Sequence, residues 1–254
     1  MLTHSEISMP LDVLDFEILG NDMQAVVVTL DPGEAAVAES GAMLYMQDGI
    51  TMEAHLSMKG ENAGGLMGKL LEAGKRAIAG DSLFVTFFTN KSSIRRQVAF
   101  AAPLPGPVLP LNLHDHGGVL FCQRDSFLCA ARGVMVDLAF TKRLGAGLFG
   151  GEGFILQKVS SPEGKGQVFL HAGGTMVPMT LGPGEILRAD TGCLVAFEQT
   201  VQYEIESVPG IKNKLFGGEG FFNMRFRGPG MVWLQTLPFS RLADRIIALS
   251  PRGD

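Results

Sequence analysis

Three times along this chain a glycine-flanked acid opens an apolar strand, and that recurrence limits the possible folds more than any other feature. Ala79-Gly80-Asp81-Ser82-Leu83-Phe84, Gly150-Gly151-Glu152-Gly153-Phe154-Ile155 and Gly217-Gly218-Glu219-Gly220-Phe221-Phe222 align with one another. Each continues as an apolar strand, a run of turn residues and a second strand. The turns are Asn90-Lys91-Ser92-Ser93, Ser161-Pro162-Glu163-Gly164 and Gly228-Pro229-Gly230. Strand, turn, strand is the pattern of a hairpin, so hairpins are predicted over 83–100, 154–170 and 221–234.

A second element recurs in the same order. Leu30-Asp31-Pro32-Gly33-Glu34 precedes Glu39-Ser40-Gly41, and Leu181-Gly182-Pro183-Gly184-Glu185 precedes Asp190-Thr191-Gly192. The middle copy is looser: Gly117-Gly118, then Asp125-Ser126. Pro-Gly sets a tight turn, because Pro fixes φ and Gly accepts positive φ. The chain therefore reads as one compact unit over 1–254 with internal repeats at about 16–110, 111–181 and 182–240. A few short strands per repeat bury too little by themselves. The expected fold is all-β with minor α, a β-sandwich or double-stranded-β-helix-like architecture with its three repeats in a pseudo-threefold arrangement. The 33 glycines and 13 prolines suit such a turn-rich protein.

Helical periodicity is scarce. Leu66, Leu70, Ala73 and Ala77 share one helical face in the segment 66–78, although Gly68 and Gly74 weaken that helix. The same slot is basic and apolar in the other copies, at Phe140–Leu144 and Ile211–Phe216. A short final helix is predicted over 241–249, where Leu242, Ile246 and Leu249 share a face.

Apolar residues make up 46% of the chain and charged residues 19%, with a mean hydropathy of +0.21. So few charges leave apolar surface available for partners, and self-association as a homo-oligomer is expected. Leu66, Leu70 and Leu71 are the candidate interface, because a glycine-rich helix gains order by packing on something. A net charge of −5 and the lack of a Lys/Arg stripe with interleaved aromatics argue against nucleic-acid binding. Cys122, Cys129 and Cys193 form no disulfide framework, and the first sixteen residues lack a basic targeting region, so a cytoplasmic location is expected.

The repeated Gly-Gly-Glu-Gly-Phe, the Glu-Ser-Gly-x-x-Leu and the Pro-Gly-Glu turns resemble the altered-inheritance-of-mitochondria family of bacterial and fungal proteins, over about 16–240. The resemblance implies a fold like that of the tryptophan-RNA-binding attenuation protein, repeated three times. It also implies a link, through the fungal members, to mitochondrial inner-membrane organisation, so other proteins or a membrane-associated complex join self-association as expected partners. It carries over no catalytic residues.

The chemically suggestive residues read mostly as structure. His114-Asp115-His116 mimics part of a cupin metal box, but no Glu follows within reach. Arg188 stands where the second cupin box would supply a His, and a guanidinium has no free lone pair for a metal. His171 aligns with Ala101 and Gln235, and a position so varied among the copies does not look catalytic. His55 stands without a motif. Gly145-Ala146-Gly147-Leu148-Phe149-Gly150 is followed by a strand rather than the helix a dinucleotide fingerprint needs. The recurring acids Asp81, Glu152 and Glu219 are the first place to look for a ligand, since a threefold axis would bring them into a ring, although turn residues accepting backbone N–H bonds explain them as well. No cofactor and no catalytic constellation is expected. A non-catalytic scaffold or interaction protein is the leading reading, ahead of an RNA-binding module by fold analogy and a cupin-like enzyme.

Overall fold

A computed structural model of the chain describes residues 12–39, 41–57, 83–142, 154–207 and 222–249. These residues form four antiparallel sheets and one α-helix, so the all-β expectation holds. The first sheet runs β1 (Asp15–Leu19), β2 (Ala25–Leu30), β7 (Arg96–Ala101), β4 (Met43–Met46). The second runs β5 (Ile50–Ser57), β6 (Leu83–Asn90), β3 (Ala35–Glu39), β10 (Phe127–Ala131), β13 (Gln167–His171), β8 (Val108–Asn112). The third runs β11 (Met135–Lys142), β12 (Phe154–Ser160), β9 (Val119–Gln123), β16 (Leu194–Glu198), β19 (Gly230–Gln235), β14 (Met176–Leu181). The fourth is β15 (Ile186–Asp190), β18 (Phe222–Arg227), β17 (Gln202–Ser207).

The hairpins predicted over 83–100, 154–170 and 221–234 are not formed. β6 and β7 lie in different sheets, as do β12 and β13, and β18 and β19. Each pair is a corner that carries the chain from one layer to the next, because both strands find their hydrogen-bond partners elsewhere. The first corner is held by the buried Asn90. Its Nδ2 donates to the carbonyls of Leu30 at 2.9 Å and Ile94 at 2.8 Å, and its Oδ1 accepts from the Ser92 N–H at 3.0 Å. Besides the short β1–β2 hairpin, the hairpins that do form among the described residues are β5–β6, β11–β12 and β17–β18, and it is these last three that recur. The connections of these three, 58–82, 143–153 and 208–221, lie outside the described residues. The candidate acids Asp81, Glu152 and Glu219 fall there, as do Leu66, Leu70 and Leu71, the segment 66–78 and the glycines at 145–150.

Among the described residues the core divides into three clusters, each between successive sheets. Val26, Val28, Val98 and Phe100 of the first sheet meet Ala36, Ala38, Phe88 and Phe169 of the second. Val37, Ala130, Val168 and Leu170 of the second meet Leu120, Cys122, Val159 and Trp233 of the third. Phe154, Leu156 and Phe197 of the third meet Met224 and Phe226 of the fourth. The molecule is thus a train of sandwiches that share sheets. β3, β10 and β16 read as nearly unbroken apolar runs because they are covered on both faces. Ala36 and Ala38 pack into the first cluster while Val37, between them, packs into the second.

Two joins make the shared sheets. β3 pairs with β10 (Ala38↔Cys129, Val37↔Ala130, Ala36↔Ala131), and β9 pairs with β16 (Cys122↔Ala196, Phe121↔Phe197, Leu120↔Glu198). β4 and β15 hold the corresponding places in the first and fourth sheets, but they end those sheets and do not pair with one another. Their side chains differ from the Ala, Val and Cys residues that make up the β3–β10 join. β4 carries Leu44, Tyr45 and Met46, and β15 carries Arg188, whose Nε donates to Glu206 at 3.1 Å.

The final helix, α1, spans Phe239–Leu249, starting two residues before the predicted segment. Its Arg241 Nη2 donates to Asp190 at 3.2 Å, tying it to the corner after β15. Among the described residues no helix is long and apolar enough to cross a membrane.

Candidate functional site

A cavity of about 540 Å³ opens where the corners of several sheets converge. The β3–β4 corner supplies Glu39, Gly41 and Ala42. The β9–β10 corner supplies Gln123, Arg124 and Asp125, and the β15–β16 corner supplies Gly192. The last residues of β7, β13 and β19, namely Ala101, His171 and Gln235, also face it, as do Pro103 and Leu104 and the start of α1.

Register explains why such distant residues meet. β7, β13 and β19 are the middle strands of three similar triplets: β2–β7–β4, β8–β13–β10 and β14–β19–β16. The register shift in each triplet falls at a matching place: between Met43 and Tyr45, Phe127 and Cys129, and Leu194 and Ala196. Ala101, His171 and Gln235 therefore end their strands at the same level, and the corners beside them point the same way.

The three side chains at this level behave differently. Ala101 adds only wall. Gln235 is fully engaged: its Oε1 accepts from the Gly173 N–H at 2.8 Å, and its Nε2 donates to the Gly192 carbonyl at 3.0 Å. His171 is buried, and its ring donates to the carbonyl of Leu104, which leaves Nε2 without a partner. Desolvation lowers its pKa from the ordinary histidine value, more than the Leu104 contact raises it. Gln123 is also buried. Its Nε2 donates to Asp125 at 3.2 Å, and its Oε1 has no partner.

The lowered pKa has a definite consequence for stability. An unfolded histidine titrates near ~6.5, so below that pH the unfolded chain binds a proton that the folded chain resists. The His171 contribution is fully present above that value and is lost as pH falls through the depressed folded pKa. We expect the wild-type melting temperature to fall on acidification below about pH 6.5 more steeply than that of His171→Gln. Melting curves of the two proteins across this range check it, and parallel slopes would refute the assignment.

The remaining sequence candidates take structural places. His116, in the 3₁₀ turn Leu113–His116 after β8, sets Nδ1 2.8 Å from Glu198 Oε1 and lies edge-on to Trp233 at 5.2 Å. The other Glu198 oxygen accepts from the Met231 N–H at 2.9 Å. His116 thus braces this corner against β16 and β19, and His114 points outward beside Asp115. Among the described residues no three His, Cys, Asp or Glu side chains gather as metal ligands. Cys122 and Cys129 are buried, and burial pushes their thiols up, away from the reactive thiolate. In the basic run Lys91–Arg96, Arg95 is paired with both Asp15 and Asp31.

The cavity escapes any reading that compares His171 with Ala101 and Gln235 as separate copies. Where three equivalent positions face a single space, different residues at them build one asymmetric site. The signal was present: the fourth residue after Gln97, Gln167 and Met231 is Ala101, His171 and Gln235.

The class this defines is an all-β protein of sandwiches joined through shared sheets, with a pocket at the meeting of their corners. Residues 16–237 match the family described as mitochondrial biogenesis AIM24, and the chain belongs to it. A relative from Streptococcus pyogenes serotype M6, described as an uncharacterised protein, is 27% identical over 221 residues, spanning 87% of this chain and 84% of the relative. The crystal structure of another S. pyogenes protein, solved by a structural genomics consortium, superposes with a TM-score of 0.71 at 22% identity, covering 94% of this chain and all of that one. At that identity the likeness speaks for the fold alone.

Proposed function

We propose that this protein is a non-catalytic interaction protein that assembles with further copies of itself, and that β4 is the surface through which it does so. One observation carries the reading: Met43, Leu44, Tyr45 and Met46 are 37%, 59%, 40% and 39% exposed, while the strands in the matching places, β10 and β16, are buried along nearly their whole length. An open edge lined by large apolar side chains pairs with another strand wherever one is offered.

The occupant is the β15 edge of a second copy. Taking the strands as three sets, β2–β7, β8–β13 and β14–β19 in a pseudo-threefold arrangement, β4 and β15 are the one matching pair left without a join. Copying the register of the made joins sets Tyr45 opposite Ala189 and Met46 opposite Arg188. If each copy offers both edges, a reciprocal exchange closes a dimer. The basic run suits RNA poorly, since Arg95 is already paired, so nucleic acid is not the partner favoured.

Size exclusion with light scattering at micromolar concentration tests this. A multiple of the 27.2 kDa chain mass is expected. Leu44→Lys with Tyr45→Lys should return a single 27.2 kDa species with the melting temperature little changed, because both side chains are exposed. A monomeric wild type overturns the reading. Dissociation by Leu66→Asp with Leu70→Asp, and not by the β4 changes, would move the interface to the 66–78 segment.

A further inference from the structure

We propose that β15 of the same chain closes onto β4 in the dilute monomer, so that assembly exchanges a join within one chain for the same join between two. The exchange rests on the proposed assembly through β4 and names what regulates it: chain concentration. The structure holds the two edges open, the state from which either join can be made.

The corners bring the two edges to one place. β3 ends and β10 begins beside the cavity, β9 ends and β16 begins there, and each of these pairs runs antiparallel from that point as a join. The remaining end and beginning belong to β15 and β4. Gly192, two residues after β15, lines the same space as Gly41 and Ala42, which lead into β4. The corners β3–β4, β9–β10 and β15–β16 each insert three residues between their strands, so β15 and β4 meet the cavity at the register of the joined pairs.

The cores show what closure covers. Ala38 and Cys129, opposite one another across β3–β10, both pack into the first cluster, and Cys122 and Ala196, opposite across β9–β16, both pack into the second. Ala189 packs against the third cluster. Its partner at the same register is Tyr45, so closure lays the exposed Tyr45 ring over the third core, where Leu187, Tyr203 and Ile205 are only partly buried. That burial favours the join. Arg188, opposite Met46, keeps its guanidinium in water and bonded to Glu206, so it does not block the join. Closure within one chain is independent of concentration, whereas the exchanged dimer gains with every added copy. The β4 edge is therefore covered when the protein is dilute and shared when it is concentrated.

Paired cysteines read the exchange in the full chain carrying Cys193→Ser, which removes the half-buried thiol. Tyr45→Cys with Ala189→Cys stand opposite one another at the register of the joins, within reach of a disulfide. On oxidation at nanomolar concentration they are expected to link within one chain, giving a 27.2 kDa species with neither new thiol free, and at micromolar concentration to link two chains. Met46→Cys with Ala189→Cys, one residue out of register, point to opposite faces and should link at least about tenfold more slowly. The chain linked to itself, brought to micromolar concentration, should stay at 27.2 kDa, and reductant should restore the dimer. If the first pair does not fold, Met46→Cys with Arg188→Cys, the next rung of the join, carries the same test. No link within one chain at nanomolar concentration, or a self-linked chain that assembles as well as the reduced one, overturns the proposal. The two readings fail separately. A wild type that is monomeric at micromolar concentration while the link still forms within one chain ends the assembly through β4 and upholds closure. A dimer linked only between chains at every concentration upholds the assembly and ends closure.

Discussion

Phe197→Ala is expected to destabilise the fold by about 3–5 kcal/mol, among the largest effects of any single truncation here. Phe197 is fully buried in β16 and belongs to the cluster that joins the third and fourth sheets. Its ring stacks on Phe121 at 5.3 Å with an interplanar angle of 16°, and meets Tyr203 at 5.1 Å and Phe226 at 5.6 Å. Truncation removes the contacts with all three rings and leaves a void that the surrounding strands cannot close, because β16 is pinned by β9 on one side and β19 on the other. For a chain of this size about 2–4 °C of melting temperature goes with each kcal/mol, so a fall of roughly 10 °C is expected. The urea midpoint should fall with it while the slope stays unchanged. A loss under about 1 kcal/mol would show that the third core is looser than these ring contacts describe. Phe197 also pairs with Phe121 across the β9–β16 join, so its removal tests whether that join depends on packing as well as on backbone hydrogen bonds.

The all-β class and the last helix were legible because both rest on local pattern: short apolar strands between turn residues, and a 3.6-residue period over 241–249. The predicted hairpins are corners instead, because a corner between layers and a hairpin within one layer share the order strand, turn, strand. The difference lies in where each strand finds its partner, which is non-local information. A partial signal existed. Ala35-Ala36-Val37-Ala38 and Phe127-Leu128-Cys129-Ala130-Ala131 do not alternate apolar with polar, and strands without alternation are covered on both faces. That pattern marks the shared sheets, and Met43-Leu44-Tyr45-Met46 resembles it in hydrophobicity while its side chains stand exposed. Burial, not composition, separates β4 from its counterparts. The acids Asp81, Glu152 and Glu219 drew attention by recurring, whereas Gln123 and His171 do not recur and owe their interest to atoms left unbonded, which no sequence displays.

Gly106→Ala should be more damaging than its small size suggests, with a loss of about 3 kcal/mol or more. Gly106 sits in the strap between β7 and β8 with φ at +154°, and a Cβ added there would stand 1.8 Å from the backbone oxygen of Ala172. Nothing flexible can yield, because that oxygen belongs to the main chain just after His171. The strap is also bonded on both sides. The Gln24 N–H donates to the Gly106 carbonyl at 3.1 Å, the Gly174 N–H to Pro105 at 2.7 Å and the Ala172 N–H to Pro107 at 3.2 Å. Relief of the collision must therefore move the strap outward and strain these bonds together. Gly33→Ala is the control. Gly33 has φ at +87°, with nothing within 4 Å of the added carbon, so only the cost of a left-handed alanine, about 1 kcal/mol, is expected there. The difference between the two variants in a denaturant melt isolates the collision from the conformational cost. Equal losses would mean that the strap is not seated against Ala172 as described.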